Sequence, residues 1–157
     1  MTTPQITMRP ATTEDLAIVL QFEQGIVETE RPFDPTLQDG ELHYHDLPRI
    51  ISSSDAELVV ALMDGRIVGC GYGQIRDAEH YLRHAKYCYV GLVFVLPEYR
   101  GMGVNQAIIN ALKDWSRARN IFEMRLEVYD NNERAKRAYE KVGFVPHMLV
   151  MRADLSK

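Results

Sequence analysis

The residues best suited to act on a ligand begin with Val95-Leu96-Pro97-Glu98-Tyr99-Arg100-Gly101-Met102-Gly103-Val104-Asn105. The apolar start of this run reads as the end of a buried strand, and after Gly103 the residues Val104, Ala107, Ile108, Ala111, Leu112 and Trp115 fall on one helical stripe. A strand therefore turns through glycines into a helix N-terminus. Gly101 and Gly103 let the backbone approach a ligand closely. The unpaired N–H groups of the first helical turn, at the positive end of the helix dipole, can then cradle a pyrophosphate. Taken alone, the same glycines would serve equally well in a tight turn that binds nothing.

A second group lies between Leu126 and Phe144. Met124, Leu126 and Val128 alternate as one face of a strand, which puts Glu127 on the other face, where it can act as a proton acceptor or pair with Arg125 or Arg134. Ala135, Ala138, Tyr139 and Val142 then share one face of a helix that Asn132 is placed to cap. On periodicity alone Tyr139 is a core aromatic, although its phenol is also a usable proton donor.

Together, Arg100 to Asn105 and Asn132 to Phe144 resemble the two central motifs of the GCN5-related N-acetyltransferases: an Arg/Gln-x-x-Gly-x-Gly/Ala loop, a strand, and an Asn-x-x-Ala-x-x-x-Tyr-x-x-x-Gly-Phe helix. The resemblance is firm from about Glu57 to Phe144 and loose before it. It implies that acetyl-CoA and an amine bind together, that the amine attacks the thioester directly, and that CoA leaves as a thiolate. It assigns the cofactor to Arg100, Gly101, Met102, Gly103, Val104 and Asn105 under the pyrophosphate and to Asn132 on the pantetheine arm. Backbone N–H groups at Val93, Phe94 and Val95 would polarise the thioester carbonyl. Tyr139 matches the tyrosine that protonates the leaving thiolate. Glu127 resembles the Leu-Glu-Val glutamate that serves as base in ribosomal-protein N-terminal acetyltransferases.

Two positions depart from the pattern. Asn105 stands where the family usually has Gly or Ala; it either crowds the pyrophosphate or donates a hydrogen bond to it. Tyr89 occupies the strand position where the histone acetyltransferases of the family carry a glutamate, and it is read instead as an acceptor-side residue.

The elements that must position these groups alternate along the chain. Ile6 to Arg9 reads as a first strand and Thr13 to Glu28 as a helix with Leu16, Val19, Phe22 and Ile26 on one face, capped by Thr12 or Thr13. Prolines and Gly40 break the next stretch, leaving Leu42 to Ile51 as the one helical candidate. Glu57 to Met63 and Arg66 to Ile75 form a hairpin about Asp64-Gly65, and Tyr87 to Val95 is a further strand. A strand after Asn120, the Tyr139 helix and a last strand after Gly143 complete the order. This predicts an α/β fold with a mixed, mostly antiparallel sheet of about six to seven strands and helices on both faces. Gly69, Gly71 and Gly73 strip one face of their strand, either for a closely packed helix or as a floor for substrate.

Between Glu23 and Asp46 the acids Glu23, Glu28, Glu30, Asp34, Asp39, Glu41 and Asp46 are opposed only by Arg31. This is the family's variable acceptor region, so Glu28 and Glu30 join Tyr89 as candidate contacts to a cationic amine; a solvated surface explains the acids as well. His43 and His45 in the same run do not aim both rings at one ion at helical spacing, and no metal is expected.

The chain is 157 residues long, a length that suits one N-acetyltransferase domain spanning 1–157. Its formal charge of -4 argues against a nucleic-acid partner. No apolar run is long enough to span a membrane, nothing in Met1 to Gln5 resembles a signal peptide, and Cys70 and Cys88 sit in apolar strand-like runs, so a cytoplasmic location is expected. The reading is an acetyl-CoA-dependent N-acetyltransferase, with a homodimer possible. The alternative is an acyl-CoA sensor or interaction module of the same fold. A dinucleotide domain would need a Gly-x-Gly-x-x-Gly turn near the start of the chain, which is missing.

Overall fold

A computed structural model describes residues 5–156. Met1, Thr2, Thr3 and Pro4, read above for a signal peptide, lie outside the described residues. The chain packs as two compact units, the first ending at Glu127 and the second beginning at Val128.

The first unit is built on a five-stranded sheet in the order β1 (Ile6–Pro10), β2 (Ala56–Met63), β3 (Arg66–Asp77), β4 (Lys86–Val95) and β5 (Met124–Arg125). The first three pairings are antiparallel and β5 joins β4 in parallel. The β2–β3 hairpin turns as expected: Asp64 and Gly65 have φ of 51° and 76°, the left-handed pair of a type I′ turn that matches strand twist.

Helices cover both faces. α1 (Leu16–Glu30) and the short α2 (Leu47–Ser52) lay Val19, Phe22, Leu47 and Ile50 on Leu58, Val60, Cys70, Tyr72 and Leu92. Asp46 caps α2 by accepting a hydrogen bond from the Arg49 N–H. On the opposite face α3 (Val104–Arg117) buries Val104, Ile108, Ile109, Leu112 and Trp115. It lies so close to β3 that a Cβ at Gly71 would stand 2.6 Å from Ile108 Cγ2, and one at Gly69 would stand 3.2 Å from Val104 and Ile108. The bare glycine face is therefore a helix seat, which settles the choice left open by the sequence.

The second unit holds α4 (Glu133–Lys141), which ends in a Schellman turn. Phe144 N–H bonds Tyr139 O, Gly143 N–H bonds Glu140 O, and Gly143 takes φ 102°. The rings of Tyr139 and Phe144 meet edge-on at 5.9 Å, the apolar contact that accompanies such a turn.

The sheet differs from expectation in strand number: five strands are present among the described residues, where six to seven were predicted. The last strand, after Gly143, does not form. A strand exists only within a ladder, and the second unit has none among its described residues, so Val145, Met148, Leu149, Val150 and Met151 stay exposed. The strand after Asn120 is shorter than its alternation implied, because its pairing with β4 stops at Tyr89 and Arg125.

Candidate functional site

β4 is interrupted in its middle. Its register on β3 passes from Tyr72↔Gly91 to Cys70↔Phe94, so Leu92 and Val93 together oppose Gly71 alone. Leu92 sits in the left-handed region at φ 55° while 5% exposed, an unusual conformation for a bulky residue and a mark of a bulge held in place by its surroundings. β5 pairs only with Cys88 and Tyr89, so the strand edge from Val90 onward has parted from β5. Val93, Phe94 and Val95, expected to face the thioester, lie in and just beyond this bulge. Phe94 packs on Phe22 at 5.1 Å and Val95 is buried.

From Val95 the chain enters the glycine turn. Arg100 turns back, donating from Nε to Val95 O at 3.2 Å. Gly101 and Gly103 have φ of 78° and 88°, with open space where a Cβ would stand, so both conformations call for glycine without any steric contact. Met102 is exposed, Val104 is buried as the first residue of α3, and Asn105 is half-buried in its first turn. The turn therefore presents backbone to solvent at a helix start, an arrangement suited to a phosphate.

On the α1 side, the segment read above for its histidines and acids becomes a wall of the site; it is a loop up to Asp46, and the helix expected from Leu42 begins only at Leu47. Fully buried Glu23 of α1 accepts hydrogen bonds from the Tyr44 and His45 N–H groups, each at 3.1 Å, and pairs with His43 Nδ1 at 3.0 Å. His43 Nε2 also meets Glu41 at 3.2 Å. These contacts send the two imidazoles to different partners, since His45 Nδ1 lies 3.3 Å from the Tyr72 phenol oxygen and their rings meet edge-on at 5.0 Å. Burial holds His45 below the ordinary imidazole range, with Glu23 raising it and Arg76 lowering it further; bonding to Glu23 lifts His43 above that range. Burial pushes the Tyr72 phenol up to about 12.

Beside this wall lies a cavity of about 460 Å³ whose lining includes Tyr44, His45, Arg49, Tyr72, Gln74 and Arg76. Tyr89 is half-buried nearby, its phenol raised first by burial and then by Glu127, with the Arg76 guanidinium 3.8 Å above its ring. Glu127 is exposed, beyond the end of β5, and its charge reaches both Tyr72 and Tyr89. Arg125, one of its suggested partners, is taken by Glu79 at 2.9 and 3.0 Å and by Glu123 at 2.7 Å. The acidic run divides: Asp39, Glu41 and Asp46 are exposed with Glu28, and only part of the run turns inward. Glu23 and Asp34 are buried, Glu28 is exposed and pairs with Arg31 at 2.9 Å, and Glu30 is half-buried, with burial and then Asp34 raising its carboxyl.

In the second unit, Asn132 caps α4 by accepting from the Ala135 N–H at 3.2 Å, which engages only its carbonyl oxygen. Tyr139 is half-buried at the α4 C-terminus.

His45, Tyr72 and Arg76 carried no motif. What links them is a register between a loop and β3, together with a carboxylate twenty residues upstream of the loop, and local periodicity has no means of reporting either.

Comparison with known proteins bears on the family and the fold. The Acetyltransferase (GNAT) family matches residues 23–144. A glucosamine 6-phosphate N-acetyltransferase of Trypanosoma brucei brucei is 38% identical over 63 residues, which is 40% of this chain; the match spans about two fifths, 41%, of that relative's length. A mutant of the BH1408 protein from Bacillus halodurans superposes with a TM-score of 0.86 at 20% identity, covering 95% of this chain and 99% of that one. A predicted acetyltransferase of Clostridium acetobutylicum, solved with acetyl-CoA, gives 0.73 at 14% identity, covering 96% and 97%. With a family match extending from α1 to the end of the Tyr139 helix motif, this chain is a member of the GNAT acetyltransferase family.

Proposed function

We propose that residues 1–157 act as one acetyl-CoA-dependent N-acetyltransferase domain, moving an acetyl group to a primary amine by direct attack. The observation that carries this reading is the bulge at Leu92 and Val93, which leads within a few residues into the glycine turn at the start of α3. A bulge that frees strand amides and a helix start that takes phosphate are the two ends of what an acyl-CoA needs.

In this reading the pyrophosphate lies on the backbone of residues 100–105, where half-buried Asn105 adds a side-chain donor rather than an obstruction. Acetyl-CoA supplies the activated acyl group. The amides at Val93, Phe94 and Val95 polarise its carbonyl, Asn132 holds the pantetheine through its amide NH2 while its oxygen caps α4, and Tyr139 returns a proton to the departing thiolate. The acceptor enters the cavity beside Tyr72, and Tyr89, Glu28 and Glu30 are the further candidate contacts to a cationic amine. Glu127 and the residues of the cavity are the candidates to take the amine's proton. A cytoplasmic, acetyl-CoA-containing compartment suits this chemistry. No helix among the described residues is long and apolar enough to cross a membrane.

The test is release of thiol from acetyl-CoA across a panel of polyamines, aminoglycosides, amino acids, short peptides and amino-sugar phosphates, the last because of the glucosamine 6-phosphate relative. Amine-dependent thiol release with formation of the acetylated amine supports the proposal. Tight CoA binding with no turnover on the whole panel would favour the sensor reading instead.

A further inference from the structure

We propose that His45 is the group that takes the proton from the acceptor ammonium. This inference rests on the acetyltransferase reading above and deepens it.

His45 lines the cavity together with Tyr72, Gln74 and Arg76, and it is held there from two sides. Glu23 grips the loop through the N–H groups of Tyr44 and His45 and through the His43 ring, so the backbone carrying His45 is tied to a carboxylate that is 0% exposed. The ring itself is fixed by Tyr72 at 3.3 Å. A buried carboxylate with three such partners is a rigid mount, because losing any one would leave a charge poorly solvated.

Tyr72 connects this mount to the bulge. It pairs with Gly91, the residue before Leu92, and its ring covers that glycine so closely that a Cβ there would stand 2.6 Å from Cε1 and Oη. His45 is therefore separated from the bulge by a single tyrosine side chain. An amine bound in the cavity against His45 would approach a thioester held at the bulge from that side.

The protonation states fit the task. The groups facing the imidazole are the Glu23 carboxylate from α1, and Tyr72 and the Arg76 guanidinium from β3, with Tyr44 adjacent in the loop. Desolvation is the largest influence on the ring and lowers it from the ordinary imidazole range, which favours the neutral form. In the tautomer where Nδ1–H donates to the Tyr72 oxygen, Nε2 keeps its lone pair. The ammonium gives one proton to Nε2, and the amine's nitrogen lone pair forms the C–N bond at the thioester carbon. The C–S bond then breaks, with its electron pair leaving on sulfur. The thiolate takes a proton from Tyr139, the acid of the proposed reaction; the acetylated nitrogen gives its surplus proton back to that phenolate, and the proton on His45 passes to solvent. Exposed Glu127 contributes its field to this pocket, whereas His45 makes the transfer.

The experiment measures thiol release against pH for wild type, His45→Gln, Tyr72→Phe and Glu127→Gln, on an acceptor that the wild type acetylates, with CoA affinity and melting temperature measured in parallel. His45→Gln is expected to lower kcat by about 100-fold at unchanged CoA affinity and to abolish the acidic inflection of kcat/KM. His45→Ala is expected to recover rate with added imidazole. Tyr72→Phe, which keeps the ring over Gly91, is expected to shift that inflection with a smaller loss of rate. A His45→Gln enzyme with the wild-type rate and pH profile overturns the proposal, as does loss of the inflection in Glu127→Gln alone. Failure of the wild type on every acceptor overturns the acetyltransferase reading itself, and this proposal falls with it.

Discussion

The ring of Tyr72 lies directly across Gly91, with its Cε1 and Oη each 2.6 Å from the point where a Cβ would stand. One residue is on β3 and the other opens the bulge of β4, so the contact couples the shape of the acceptor wall to the strand that would polarise the thioester. Gly91→Ala must displace a tyrosine that is 1% exposed. It is expected to destabilise the fold by about 1–3 kcal/mol, measured by denaturant unfolding, and to impair turnover more than CoA affinity.

The glycines of β3 and of the α3 turn should respond differently, because their reasons differ. Gly71→Ala pushes on Ile108 and should cost about 1–3 kcal/mol by overpacking, while sparing CoA binding. Gly103→Ala meets no atom within 4 Å. Its cost is conformational, about 1–2 kcal/mol for a left-handed alanine, and isothermal titration should show weakened CoA binding because the turn itself moves.

Much of this arrangement was legible beforehand. The Asp64-Gly65 hairpin, the stripe of α3 and the Asn132 cap follow from turn chemistry and periodicity, which act within a few residues. The acceptor wall was not legible. Glu23 reads as one acid in an acidic run, yet it folds inward onto a loop twenty residues away, and His45 finds its partner only once β3 is in register. The expected last strand failed for the same reason in reverse: the apolar pattern after Gly143 is present, but a strand needs a neighbour as well as a pattern.

The two histidines of the loop should pull stability in opposite directions with pH. His43 is raised by bonding to Glu23, so its contribution is fully present below the unfolded imidazole value and fades as pH rises through its higher folded value. His45 is lowered by burial, so the unfolded chain binds its proton more readily, and stability falls as pH drops below the unfolded value. Melting temperatures between about pH 5 and 8 should show His43→Gln losing stability mainly at the acidic end. His45→Gln should lose the acid-induced decline.

Tyr139→Phe keeps the edge-on contact with Phe144 and the Schellman turn, since neither uses the hydroxyl. The variant should therefore still unfold cooperatively, which denaturant unfolding checks. Its kcat should fall by about 100-fold at nearly unchanged CoA affinity, in a steady-state assay with the same acceptor.

The most direct test of the account is mass-resolved acetyl transfer: acetyl-CoA, an acceptor panel and wild-type protein, with free CoA and acetylated amine quantified together. Equal amounts of the two products are expected, formed only when an amine is present. CoA that is bound but never released as product, or thiol released at the same rate without any amine, would contradict it.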